Sequence, residues 1–181
     1  MTYDTGEHVK EVFAHFGRAY YLAGVFEIAL ANALLYLDFL RELKVKIQCG
    51  GMKNFDRPSY EAEFDQFMKQ QHAKTVGNLI KRVHELTDMD EPLKVYITTA
   101  KVRRDFLAHH FFREHAEDFA RRGGRDKMLA ELYDAQELFE SAARKITDYL
   151  DPIGEQVGMP PALVEAYTKE YLESFEDDEN P

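Results

Sequence analysis

The chain has 181 residues, 45% of them hydrophobic, and a formal net charge of −10; this length predicts one domain whose core needs neither disulfides nor a structural metal. Its single cysteine, Cys49, excludes an intrachain disulfide framework and a multi-cysteine zinc site, and it fits a reducing compartment, so a cytoplasmic location is expected. The acidic total speaks against general nucleic-acid affinity, but the charge is uneven: Lys94 to Lys127 holds nine Lys or Arg against five Asp or Glu.

In chain order, the first eighteen residues carry charged and polar groups throughout, which argues against an export signal. Ala19 to Leu40 is long enough to span a bilayer, but Glu27, Asn32 and Asp38 would be penalised in hydrocarbon. The expectation is therefore a central helix of a soluble bundle, with no membrane association. A first helix from about Glu7 into the mid-forties sets Phe13, Phe16, Tyr20, Ala23, Glu27, Leu30, Leu34 and Leu37 three or four apart on one inward stripe. Being apolar on most of its circumference, this helix is also expected to serve a subunit interface.

CGGMKNFDRPS interrupts the pattern with two glycines and a proline. A second helix after Ser59 carries Tyr60, Phe64 and Phe67 inward, and bends or restarts near KTVGNLIKRVHEL. In TDMDEP, Asp90 is the expected N-cap and Pro92 sits in the first turn, where its missing N–H does no harm. The next helix is predicted from about Leu93 to Phe119, closed by a left-handed glycine in RRGGR. Another spans about Asp126 to Leu150 with Met128, Leu132, Ala135, Leu138, Phe139, Ala142 and Ile146 inward, and GMPPALVEAY begins a short last helix. The reading is an all-α domain over residues 1–176, a four- to five-helix antiparallel bundle, followed by a solvated acidic tail at 177–181.

The chemistry concentrates in VRRDFLAHHFFREH, Val102 to His115, which gathers three arginines and three histidines. Arg104 and His109 start about 140° apart on a helix, within reach of arginine's long stem, while Asp105 lies one turn before His109 and about 40° away. A carboxylate on one imidazole nitrogen would fix the tautomer and free the other nitrogen for proton transfer, and a guanidinium suits phosphate. With eleven arginines and seven histidines, about 0.4 such spacings are expected by chance, so the pair alone is weak evidence.

RRDFLAHHFF resembles the signature of the HEPN superfamily (higher eukaryotes and prokaryotes nucleotide-binding), in which an arginine, a polar residue and a histidine follow R-x4-H spacing on a bundle helix. The matching positions are Arg104, Asp105 and His109, with Leu107 and Ala108 before the histidine; KTVGNLIKRV is similar, more loosely, to the segment that precedes the motif. The resemblance implies a homodimer whose two motifs share one cleft. It also implies metal-independent RNA cleavage by 2′-hydroxyl attack, His109 handling protons, Arg104 stabilising charge and Asp105 orienting the histidine. A toxin of a toxin–antitoxin or antiviral system, with its antitoxin on another polypeptide, is one implied setting. The alternative is a non-catalytic member that binds nucleotide, RNA or protein.

Arg103, His110 and Arg113 are the expected substrate contacts around this pair. His110 and Glu114 have i, i+4 spacing beside His115, yet no zinc or di-iron pattern joins them to other histidines, and neither metal nor cofactor is expected. Glu27, inside the most apolar helix, requires a partner, and Arg18, Arg103 and Arg104 are the candidates.

Overall fold

The structure, a computed structural model, describes residues 3–51 and 55–176, and among these the regular structure is helical throughout. Helix α1 (Tyr3–Leu34) passes without interruption through a π-helical segment, Leu35–Leu40, into α2 (Arg41–Gly50). The other long element, α8 (Arg122–Val157), packs chiefly against α1. Alanines on both are fully buried, Ala19 and Ala33 on α1 and Ala135 and Ala142 on α8, as close approach of two backbones requires. Phe26 and Phe139 join the same core, their rings 6.4 Å apart.

Along α1 and into the π-helical segment the buried stripe runs through Val12, Ala19, Ala23, Phe26, Leu30, Leu34 and Leu37. Its N-terminal half lies one residue before the expected Phe13, Tyr20 and Glu27; Phe13 and Tyr20 are about half exposed, at 52% and 48%. Nearly every position there is apolar, so periodicity admitted two registers, and packing selected the one with the small Ala19 inside. On α8 the expected inward residues are buried, with Leu138 half-buried. Between Gly6 and Gly50 the chain is long and apolar enough to cross a membrane by length and composition, and 44% of its most apolar window is buried inside the fold.

Helix α3 (Arg57–His72) starts with a proline in its first turn, and Tyr60, Phe64 and Phe67 surround Phe39 at ring separations of 5.7, 5.9 and 5.3 Å. The expected restart is real: Thr75 accepts a hydrogen bond from the Asn78 N–H and opens α4 (Val76–Leu86). Asp90 accepts from the Leu93 N–H at 3.0 Å and opens α5 (Glu91–His109).

The helix expected to reach Phe119 instead ends at His109. Two short helices follow, α6 (Phe111–Glu114) and α7 (Ala116–Ala120), with His110 and His115 off helical geometry between them. The breaks turn Phe111 into the core, where it meets Phe16, Phe106 and His115. The glycines of RRGGR close nothing in the left-handed region; among the described residues only Gly51 and Gly158 have positive φ. They lie in the first turn of α8, and a Cβ on Gly124 would sit 2.2 Å from the Asp118 carbonyl oxygen. Close approach, not left-handedness, is what demands glycine there.

Gly158, at φ +87°, ends α8 and leads to α9 (Pro161–Glu176), longer than the short helix expected. Its Tyr167, Tyr171, Leu172 and Phe175 are exposed. The acidic tail at 177–181 lies outside the described residues.

Candidate active site on helix α5

Arg104 is the centre of the arrangement. From α5 its Nε donates to Glu27 Oε1 on α1 at 2.6 Å, and its Nη1 reaches Asp105 Oδ1 at 3.4 Å. The side chains of Arg104 and Glu27 are 25% and 31% exposed, so this pair is neither solvated nor sealed. Burial presses against the guanidinium's charge, but the hydrogen bond and charge of Glu27, with Tyr20 and Asp105 behind it, outweigh burial and raise its pKa above the ordinary value. Arg104 is therefore a fixed cation. Of the three partners proposed for Glu27, Arg104 is the one it takes; Arg18 pairs with Glu140 and Arg103 with Glu131.

Among the described residues no hydrogen bond joins Asp105 to His109. Asp105 takes a salt bridge from Lys101 Nζ at 2.7 Å and the longer contact from Arg104. Hydrogen bonding to Lys101 is the main reason its carboxyl titrates below the usual carboxylate value, with the charges of Lys101 and Arg104 adding to it. Lys101, four residues before Asp105 on the same helix face, brings a full positive charge to the carboxylate, and the ion pair is a charge-assisted hydrogen bond.

His109 occupies the last position of α5, exposed and without a side-chain hydrogen bond among the described residues; its ring stands edge-on to that of His110 at 6.2 Å. His110 accepts from Arg113 Nη2 at 2.6 Å through Nδ1, so these two expected substrate contacts are joined to each other. Arg113 also lies 3.7 Å from Glu114. Arg103 points elsewhere, into a knot in which Glu131 also meets His115 Nε2 at 3.3 Å and Asp118 meets His115 Nδ1 at 3.2 Å. Its guanidinium lies over the Phe106 ring, 5.8 Å from the centroid.

The structure thus separates the motif into a held cation, Arg104, and a free imidazole, His109, with Arg103 drawn into a structural role. Lys101 and Tyr20 beside Arg104 were not foreseen. Lys101 was legible from its i, i+4 spacing to Asp105, whereas nothing local links Tyr20 or Glu131 to the motif. Among the described residues no three His, Cys, Asp or Glu side chains are grouped as a metal would require. Compared with sequence-family profiles, curated proteins and solved structures, the chain finds no match in any of the three.

Proposed function

We propose that this chain is a HEPN-like, metal-independent endoribonuclease, acting as a homodimer on RNA in the cytoplasm. The observation that carries the reading is the pairing on one helix of a permanently charged, half-buried Arg104 with an exposed, unengaged His109, inside the most basic stretch of an acidic chain. RNA brings its own nucleophile, so the protein must supply only proton transfer and charge stabilisation. The 2′-oxygen attacks phosphorus, its proton leaves to a base, the P–O5′ bond breaks and the 5′-oxygen takes up a proton. The products are a 2′,3′-cyclic phosphate and a 5′-hydroxyl. His109 serves these proton transfers, and Arg104, preorganised by Glu27, faces the charge that grows on the phosphoryl oxygens. Asp105 holds Arg104 and Lys101 in place. A separate antitoxin protein would act by covering this end of α5.

Purified protein incubated with RNA in EDTA is expected to cleave it while sparing DNA of the same sequence. His109→Ala and Arg104→Ala should each reduce the rate at least about a hundredfold. Cleavage that survives both substitutions, or RNA that remains intact, would overturn the reading. One observation favours the alternative of a non-catalytic nucleotide- or RNA-binding module: Glu27 already occupies Arg104, and an incoming phosphate must compete with it. That module would leave RNA intact and lose affinity on Arg104→Ala.

A further inference from the structure

A cavity of about 520 Å³ opens between α1, the C-terminal part of α8 and the start of α9, within the size range of small-molecule sites. Val25, Ala29, Leu150 and Met159 give it apolar walls, and Tyr36, Asn32, Asp151 and Glu165 supply its polar groups. Among the described residues the lining contains no lysine, arginine or histidine. Among the described residues neither Asp151 nor Glu165 has an ion-pair partner, and the Tyr36 hydroxyl and Asn32 amide have no hydrogen bond. Thr147, by contrast, is satisfied by the Ala143 carbonyl at 3.1 Å.

Two backbone features shape this space. Tyr36 sits in the π-helical segment Leu35–Leu40, the kind of helix insertion that recurs at functional sites. Gly154 admits the ring: a Cβ there would lie 2.9 Å from Tyr36 Cε1 and 2.6 Å from the Met159 carbonyl oxygen. Burial first, and the charge of Asp151 second, raise the Tyr36 hydroxyl above its ordinary pKa, which places the phenol in the field of that carboxylate.

We propose that this cavity binds a small organic cation, an ammonium group carried on an apolar body, with the cation between Asp151, Glu165 and Tyr36 and the body against Val25, Ala29 and Leu150. Charge complementarity selects the class. Two carboxylates without ion-pair partners among the described residues, Asp151 partly buried and Glu165 exposed, repel an acid, give a neutral molecule no advantage, and favour an amine through charge-assisted hydrogen bonds and contact with the phenol ring.

The chain lacks tryptophan, so naphthalene emission can be followed without indole background. The full chain is titrated with 2-(1-naphthyl)ethylamine and, separately, with 1-naphthaleneacetate, reading fluorescence anisotropy. The amine should saturate and bind at least about tenfold more tightly than the acid. Asp151→Asn, which keeps shape and removes charge, should weaken the amine about tenfold, and Glu165→Gln, at an exposed position, should weaken it in the same direction. Ala29→Phe, which fills the cavity without adding an indole, should abolish binding while circular dichroism retains the helical spectrum, and His109→Ala should leave binding unchanged, separating this site from the ribonuclease reading. Equal affinity for the acid, absence of saturation by the amine, or indifference to both charge-removing variants would overturn the proposal.

Discussion

Arg104 shows how a sequence motif and its surroundings divide the description of a site. The R-x4-H spacing marked Arg104 and His109, and the need of Glu27 for a cation was legible because a carboxylate in an apolar helix cannot stand alone. Arg104 was one of three candidates because nothing local fixes how α1 and α5 face each other. Asp105 contacts Lys101 and Arg104, and the spacing alone could not choose between two neighbours on its own face, Lys101 and His109. Its depressed pKa gives a signed prediction: the stabilisation is present above the ordinary carboxylate range, near 3.8, and is lost as pH falls through the lower folded-state value. Asp105→Asn should therefore flatten the acid limb of urea-denaturation stability between about pH 5 and pH 2. His84 supplies a second titration. Burial, then the charge of Lys94, lowers its pKa from 6.5, and its Nε2 is buried with no hydrogen-bond partner among the described residues. The folded state disfavours the proton, so stability held above pH 6.5 declines on acidification, and His84→Leu should reduce that decline between about pH 7 and pH 5.

The helix starts were readable because capping is a local code: Asp90 and Pro92 stand where α5 begins. Asp90→Ala is expected to cost about 1 kcal/mol in urea denaturation. The end of α5 was not readable, since the helix stops at His109 in order to bury Phe111, and that depends on Phe16, distant in sequence. The glycines at the start of α8 were misjudged for a related reason, close approach being a tertiary demand. Gly124→Ala forces a Cβ into the Asp118 backbone and should cost about 1–3 kcal/mol. On α9 the opposite holds. Tyr167 and Leu172 are 60% and 59% exposed, so Tyr167→Ser and Leu172→Ser should each change chain stability by no more than about 0.5 kcal/mol.

For the whole molecule, composition and periodicity sufficed for the all-α class, because long helices with one apolar stripe must pack on one another. They did not fix the register of α1, whose apolar residues nearly encircle it, and so could not say which aromatic residues remain outside. Phe13, Tyr20 and Tyr21 do, and in the proposed homodimer they are the residues to cover. Light scattering should give about twice the 21.1 kDa chain mass, and Tyr21→Glu should lower it toward one chain. The π-helical turn has a consequence for how such a chain can vary. It is in effect one surplus residue absorbed by a local widening, so a single-codon deletion there would restore regular winding and leave the helices on either side in their present orientation. The change would be confined to the turn itself, where Asp38 accepts two hydrogen bonds from Arg82 at 2.9 and 3.1 Å and Tyr36 lines its recess, and these two side chains would be re-aimed. Homologues one residue shorter at this point should therefore differ in what they bind while keeping the same core.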